Sequence, residues 1–467
     1  MPEQLSHLSR RQFALSLCGF PFASAFSAQE LQSMPWNEPA VVAKVYLASN
    51  TVHWPKPTLD VAGDMKAIEG RLAEVQRMHA ASVRFTGGDV IRADADVKPW
   101  LAKTGDVDGV MIIPLTQPTP GLAALIESLS VPALYFSLPY ASHGWSAIAR
   151  YQKAGRKIDL VASSSYGDLD PYMKAFKTVR HLRKSKVLVG TAAPAGRKAQ
   201  TDAFHQHFGT SFQFVTGNEF KDAFQAVSVR EAQQEAERFT RGALRVVEAK
   251  PQEVVDGLRF YFALGNMLKR EKANAITIDC FGTLKANTLP GYPCIAWSKF
   301  NDAGLYGVCE ADIQSTMTQM LVTSFTRMPG FVSDPVFDTS RNEVVHAHCV
   351  SATKMKGLDA PASPYIIRNH LETNEGAVVQ VLMPSNEKIT VGRFMGPAQF
   401  LISTGEVTGA VDSDRGCRSQ IRTRVANAEK WLRNYQAGLH RVIFYGDHVR
   451  SIEMMGRLMG FSVVHEM

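Results

Sequence analysis

The sequence predicts an α/β protein: two doubly wound parallel-sheet domains followed by a small antiparallel, β-barrel-like C-terminal domain. The first observation is length, because 467 residues exceed one ordinary hydrophobic core and indicate two or three domains. The second is the alternation of short apolar runs with amphipathic stretches from about residue 40, which is typical of parallel sheets covered by helices. The third is a change after about residue 325 to short β-rich segments separated by Gly, Pro, Asn and Ser, which favours an antiparallel barrel.

The first α/β domain is predicted over residues 38–160. Its strands correspond to the apolar runs VVAKVYLA, SVRFTG, VDGVMIIPL and VPALYFSLP. Amphipathic stretches at 60–80 and 92–103, together with GLAALIESL, supply the helices between them. Because strands and helices alternate, we expect the strands to be parallel.

The second α/β domain is predicted over residues 161–325. It begins with KIDLVASSS and continues with the runs SKVLVGTAA, SFQFVTG and ANAITIDCFG. Helical segments such as VREAQQEAERFTRGALRVV separate these strands, so a second parallel sheet is expected.

The C-terminal domain is predicted over residues 326–467. Its strands correspond to EVVHAHCVSATKM, GAVVQVLM, KITVGRFMG and AQFLISTGEVTG. A helix near 426–436, a strand RVIFYG and a helix VRSIEMMGRLM end the chain. We expect the terminal strand and helix to rejoin the middle domain.

Composition argues against several classes of protein. The formal net charge is +7, but Lys and Arg are spread along the chain, so nucleic-acid binding is not predicted. Beyond the N-terminal segment no stretch reaches 18 apolar residues, so no membrane span is predicted. Five cysteines follow residue 28 at irregular spacing, which argues against a disulfide framework.

The N-terminal segment resembles a twin-arginine export signal. SRRQFALSLCGFPFASAFSA contains the pair Arg10 and Arg11, followed by a modestly apolar stretch that ends in small residues. We expect a signal peptide over 1–28, cleaved after Ala25 or Ala28, and a periplasmic protein. The alternative is a first helix that happens to contain Arg-Arg, in which case the protein stays in the cytoplasm.

The segment GLYGVCEADIQSTM, residues 304–317, is interpreted as the start of a buried helix. Ile313 and Met317 lie three and seven residues after Glu310, so Glu310 would share their core-facing side. Asp312 would lie about 200° round the helix, facing solvent. A buried carboxylate needs a cation, a basic partner or a proton, so Glu310 is either a metal ligand or half of an internal ion pair.

Three further segments carry candidate metal ligands. FVSDPVFD places Asp334 in a Pro-containing loop, where a simple turn residue is the alternative. EVVHAHCV places His346 and His348 on one strand face, where both imidazoles suit one metal, or one suits the metal and one the substrate. Two buried, hydrogen-bonded histidines are the alternative. VIFYGDHVRSIE passes from strand to helix, so Asp447 would cap the helix and His448 would point into a crevice.

The order and spacing of these residues resemble the L-fucose isomerase and L-arabinose isomerase superfamily. GYPCIAW, YGVCEADI and HAHC carry the resemblance, which extends over about residues 275–467. In that family a helical Glu, an acidic residue two dozen positions later and a distant His bind Mn²⁺. Those positions match Glu310, Asp334 and His448. Arabinose isomerases add a further His, which matches His348, 100 residues before His448.

This resemblance implies a metal-dependent aldose-ketose isomerase that acts through an ene-diol intermediate on a small-molecule carbohydrate. It makes Glu310 and Asp334 both ligands of Mn²⁺, or of another divalent cation, and proton carriers. His348 and His448 would complete the coordination or bind substrate hydroxyls. The family also implies a homo-oligomer, either a trimer or a hexamer.

Two residues are candidate substrate contacts, His346 and Trp297; for Trp297, core packing is the alternative. Other functions stay open as well. A metal-dependent lyase, epimerase or hydrolase of a modified carbohydrate would use the same residues. A non-catalytic periplasmic sugar-binding protein would share the two α/β units, although it has no need of such a ligand set. The sequence does not identify the sugar.

Overall fold

The structure, a computed structural model, describes residues 25–52, 54–285 and 287–467. The predicted fold class is confirmed, because two parallel sheets flanked by helices are followed by a closed antiparallel barrel. Arg10, Arg11 and most of the predicted export signal lie outside the described residues. Among the described residues no helix combines the length and apolar character that a bilayer crossing demands.

The strands of the described chain are, in order, β1 (Ala40–Leu47), β2 (Val83–Ile91), β3 (Gly109–Pro114), β4 (Ala133–Ser137), β5 (Ile158–Ala162), β6 (Lys186–Gly190), β7 (Ser211–Val215), β8 (Ala275–Ile278), β9 (Tyr306–Cys309), β10 (Phe331–Asp338), β11 (Glu343–His348), β12 (Tyr365–His370), β13 (Glu375–Val381), β14 (Glu387–Gly396), β15 (Gln399–Ala410), β16 (Ser419–Arg424), β17 (Arg441–Tyr445) and β18 (Ser462–His465).

The α-helices of the same residues are α1 (Ala28–Gln32), α2 (Val61–Met78), α3 (Val97–Thr104), α4 (Leu122–Ser128), α5 (Ile148–Lys153), α6 (Asp170–Lys184), α7 (Ala195–Phe208), α8 (Gly217–Gln225), α9 (Val229–Gly242), α10 (Pro251–Glu271), α11 (Cys280–Lys285), α12 (Cys294–Asp302), α13 (Ile313–Thr326), α14 (Ala428–Asn434) and α15 (Val449–Met459).

One compact unit, here the N-terminal unit, comprises residues 32–184 and 449–463. Its parallel sheet has the strand order β2-β1-β3-β4-β5. All six residues of β3, GVMIIP, are buried, as expected for a strand covered by helices on both faces. The last helix, α15, also belongs to this unit, where Arg457 contacts Asp159 at 3.0 Å. The expectation that this helix rejoins the middle domain is therefore corrected. The expectation that KIDLVASSS begins the second α/β domain is also corrected, because its strand β5 pairs with β4 in this first sheet. The remaining domain bounds stay a prediction.

The second compact unit, here the large unit, comprises residues 25–31, 185–448 and 464–467. It contains a four-stranded parallel sheet in the order β7-β6-β8-β9. It also contains the barrel, in which β14, β17, β10, β11, β16 and β15 follow one another and a β14–β15 pairing closes the ring. Strand β18 adds to β15, and β12 and β13 form a separate antiparallel pair.

The segment interpreted as the start of a helix instead begins with a strand. Tyr306–Cys309 pairs in parallel with β8, and α13 begins only at Ile313. The predicted helix over 304–317 is therefore wrong in its first half. A short apolar run fits a buried strand as well as a buried helix, and pairing with β8 decides between them.

The last residues of the predicted signal peptide pack within the large unit. Ala25 and Phe26 are buried, and the backbone N–H of Ala25 donates to the hydroxyl of Tyr261 at 2.7 Å. The ammonium of Lys269 lies 5.2 Å from the centre of the Phe26 ring. The expectation that residues 1–28 lie wholly outside the folded domain is thus wrong for these two residues.

Candidate metal centre

Three side chains meet at one end of the barrel: Asp334, His348 and His440. Each offers a ligand atom, and these atoms all lie within 4.8 Å of one another. The antiparallel pairing explains the convergence. Asp334 on β10 is opposite Ala347, the residue before His348 on β11, and β10 also pairs with β17, which begins directly after His440. Two predicted residues, Asp334 and His348, are therefore brought together, with a histidine that the sequence analysis missed.

The His440 ring is oriented by Asp312. Its Nδ1 lies 2.9 Å from Oδ2 of Asp312, which leaves Nε2 at 3.5 Å from Oδ1 of Asp334. Burial alone would lower the pKa of His440, but the hydrogen bond to Asp312 and the charges of Asp312 and Asp334 raise it above its usual value. A carboxylate that holds one imidazole nitrogen and turns the other toward a ligand set is a common arrangement in metal sites.

Asp312 does not face solvent as expected, since its side chain is only 11% exposed. It is the N-cap of α13 and accepts a hydrogen bond from the backbone N–H of Ser315. The guanidinium of Arg393 also donates to it, at 2.6 Å. Burial would raise the pKa of Asp312, but the bonds from His440 and Arg393 hold it well below its usual range. The prediction failed because Asp312 precedes the helix, where helical periodicity does not apply.

His348 is neutral at physiological pH, as a metal ligand must be. Burial, aided by the nearby His440 and His370, lowers the pKa of His348 to about 3. The rings of His348 and His440 meet edge to face, with centroids 5.5 Å apart and planes inclined at 70°.

Two atoms of the group are buried without a hydrogen-bond partner among the described residues: Oδ1 of Asp334 and Nδ1 of His348. Buried polar atoms normally have a partner. A carboxylate oxygen and an imidazole nitrogen that both lack one, in the same small group, therefore indicate that a bound ion or molecule belongs between them. One carboxylate and two imidazoles suit a borderline divalent cation such as Mn²⁺. The residues present therefore fit a metal ion.

Glu310 lies in the turn between β9 and α13, near enough to His440 and Asp334 for their charges to act on it, but it is not one of the residues that converge within 4.8 Å. Its pKa is raised to about 7, mainly by burial; the charge of His440 lowers this pKa, and the charges of Asp334, Glu372 and Asp279 raise it. Two carboxylates that were not predicted as site residues, Asp279 and Glu372, thus lie near enough to Glu310 for their charges to act on it. Asp279 follows β8 just as Glu310 follows the neighbouring β9, so the rule that ligands collect at carboxyl ends of parallel strands would have indicated it.

His448 is not part of the group. Its Nε2 lies 2.6 Å from the carbonyl oxygen of Tyr445, and its backbone N–H donates to Thr390. His440 and His448 flank opposite ends of β17, whose five residues span about 16 Å. The prediction for His448 is therefore corrected. The carboxyl-end rule holds for parallel sheets, whereas β17 is an antiparallel barrel strand.

His346 is fully buried outside the group. The hydroxyl of Ser333 donates to the carbonyl of Arg441, so it accepts from Nδ1 of His346 at 3.1 Å. Burial, and then the charge of Arg441, lower the pKa of His346 to about 3. The ring of His346 packs against Trp431, with ring centroids 6.0 Å apart. His346 therefore has the contacts of a buried, hydrogen-bonded histidine, which was the stated alternative.

Trp297 is fully buried on α12. Its indole N–H donates to the sulfur of Cys309 at 3.0 Å, and its ring contacts Phe300. These are the contacts of a core residue, in agreement with the alternative stated for Trp297.

No protein-family model matches the chain. A curated relative, a sulfoquinovose isomerase from Clostridium sp. (strain MSTE9), is 26% identical over 161 residues. The match covers 34% of this chain and 35% of the relative, so it spans about a third of the length of each protein. Over that region the chain is similar to a sugar isomerase.

Proposed function

We propose that this protein is a metal-dependent sugar isomerase that interconverts an aldose and a ketose through an ene-diol. The observation that carries the proposal is the convergence of Asp334, His348 and His440 within 4.8 Å, beside a glutamate whose pKa lies near 7. The similarity to a sulfoquinovose isomerase supports the reaction class.

The metal would be held by Oδ1 of Asp334, Nδ1 of His348, Nε2 of His440 and the carboxylate of Glu310. A divalent ion bound there supplies Lewis-acid stabilisation to the sugar oxygen atoms on which negative charge develops. Asp312 contributes by fixing the His440 ring, and Arg393 contributes by keeping Asp312 ionised.

Glu310 is the residue best suited to move the carbon-bound proton. Without an ion, burial raises the pKa of this carboxyl to about 7, so the site makes Glu310 a stronger base than an exposed glutamate and suits it to accept a proton and return it. It would take the proton from the carbon next to the carbonyl and deliver it to the neighbouring carbon. Asp334, whose pKa burial also raises, would assist the proton exchange between the two oxygen atoms.

The substrate class follows from the relative. Its name assigns it sulfoquinovose, a sugar with a sulfonate group, so that sugar is the first to test, followed by unsubstituted and 6-deoxy aldoses. Two further parts of the proposal rest on the sequence: export by the twin-arginine pathway, and assembly as a trimer or hexamer. N-terminal sequencing of periplasmic protein and light scattering test these two parts separately.

The deciding experiment combines metal analysis of the purified protein with a sugar panel, run with and without Mn²⁺. Isomerisation conserves the mass of the sugar and moves its carbonyl, which NMR detects directly. A lyase would yield two fragments, a hydrolase would add water, and an epimerase would leave the carbonyl in place. Sugar binding without any metal-dependent turnover would instead favour the binding protein and contradict the proposal.

A further inference from the structure

The described cysteines form a cluster near Glu310, in which each lies close enough to another to interact with it. Cys309 directly precedes Glu310, and Cys349 directly follows His348. All of the described cysteines are free thiols: Cys280, Cys294, Cys309, Cys349 and Cys417. The proposed isomerase chemistry uses none of them, so their convergence from five separate segments calls for its own explanation.

Within this cluster Cys280 and Cys309 are in direct contact. Their sulfur atoms are 3.9 Å apart, and the thiol of Cys280 donates to the sulfur of Cys309. Strand pairing sets this distance, because Cys309 lies opposite Ile278 on the neighbouring parallel strand and Cys280 follows Ile278 by two residues. The indole N–H of Trp297 donates to the same Cys309 sulfur at 3.0 Å.

We propose that Cys280 and Cys309 are a modification site that forms a reversible disulfide. A disulfide requires sulfur atoms about 2 Å apart, so the two atoms must approach by about half of their present separation. Cys309 is the last residue of β9 and Cys280 is the first residue of α11, so each thiol borders a strand-to-helix turn. Rotation of the side chains and a small shift of these turns supply that movement.

The oxidant we assign is a small peroxide, because the exposed fractions of Cys280 and Cys309 are only 8% and 4%. One thiol gives up its proton and attacks a peroxide oxygen, which breaks the O–O bond and leaves a sulfenic acid and water. The second thiol attacks the sulfenic sulfur, forms the S–S bond and releases a second water. Two thiols and one hydrogen peroxide thus become one disulfide and two waters; the sulfurs are oxidised and the peroxide oxygens reduced.

The new bond would act on the metal centre through its chain neighbours. Asp279 directly precedes Cys280 and Glu310 directly follows Cys309, and the charge of Asp279 acts on the Glu310 carboxyl. Drawing the two sulfurs together moves the turn that carries Glu310. We therefore expect the disulfide form to bind Mn²⁺ at least threefold more weakly. This consequence rests on the proposed function, whereas the disulfide itself does not.

The test begins with wild-type protein treated with a slight excess of hydrogen peroxide. Remaining thiols are blocked with iodoacetamide, and the digested protein is searched by mass spectrometry for a Cys280–Cys309 linked peptide. We expect this peptide to be the main product, with Mn²⁺ affinity lowered and both changes reversed by dithiothreitol. Recovery of both residues as alkylated thiols, or a link confined to Cys349 and Cys417, overturns the modification site.

Variants separate the two parts of the inference. Cys280→Ser should keep its Mn²⁺ affinity after peroxide treatment, whereas the matched control Cys417→Ser should lose affinity as the wild type does. If Cys280→Ser does not fold, the search for the Cys280–Cys309 linked peptide in the wild-type protein still decides whether the disulfide forms. A linked protein with unchanged Mn²⁺ affinity overturns the effect on Glu310. A linked protein with weakened Mn²⁺ binding but no isomerase activity in either form overturns the proposed function and supports the modification site.

Discussion

His440 binds Asp312 through Nδ1 at 2.9 Å, and its other ring nitrogen lies 3.5 Å from Asp334. This relationship links the N-terminus of α13 to two strands of the barrel through a single imidazole. It fixes which nitrogen of His440 is left for a metal, because Nδ1 already has a partner.

The first prediction compares two histidines near β17. His440→Ala should lower Mn²⁺ affinity by more than about tenfold, because it removes a proposed ligand. His448→Ala, at the other end of the strand, should stay within about twofold of the wild type, since its ring contacts the Tyr445 carbonyl. Isothermal titration with Mn²⁺ measures both. If both variants lost Mn²⁺ affinity to the same extent, the prediction would be contradicted and His448 would again be a candidate metal ligand.

The second prediction concerns the buried pair of Asp312 and Arg393, whose side chains are 11% and 5% exposed. Asp312→Asn should lower the free energy of unfolding by about 2–4 kcal/mol, because it leaves a buried guanidinium without its counter-charge. Urea denaturation at pH 7 measures this. The matched control is Asp359→Asn, in an exposed pair with Arg327, which should change it by less than about 1 kcal/mol.

The third prediction tests whether Glu310 and Asp334 act as one unit. Glu310→Gln and Asp334→Asn should each weaken metal binding and abolish turnover while leaving the fold largely intact. The double variant should lose little more than either single variant, because both residues serve one metal and one proton transfer. Metal content and activity of the three proteins provide the measurement. Full occupancy and activity in Glu310→Gln would leave this glutamate with a purely structural role.

The fourth prediction is a pH dependence. The pKa of Glu310 is raised to about 7 and that of His440 is also raised, so without metal both groups hold protons that an ion must displace. Mn²⁺ affinity should therefore rise with pH through 7, by up to about tenfold per unit for each proton released. Titrations from pH 6 to pH 8 measure the slope, which Glu310→Gln should reduce. An affinity that does not change over this range contradicts the prediction.

Local pattern was sufficient to predict the fold class and one of the three convergent residues, His348. Strand alternation selected His348, and the anomaly of a carboxylate among apolar neighbours singled out Glu310. The same reasoning failed at Asp312 and His440. Their roles depend on which strand pairs with which across the barrel, and such long-range pairing leaves no periodic signal in the sequence. Asp334 was predicted because its distance from Glu310 along the chain resembles that of the family's acidic ligand. It was expected in a loop, whereas it lies on strand β10.

The closure of the barrel has a consequence for how the site gains and loses its ion. Asp334 lies on β10, His348 lies on β11, and His440 directly precedes β17. These three strands are hydrogen-bonded on both sides within the closed ring, so none of them is an edge strand that can separate from the barrel. After a chelator removes the ion, the protein should therefore keep the ligand residues in register. It should bind a new ion without having to refold. A bound ion would in turn raise the melting temperature of the whole barrel, because it binds only the folded state.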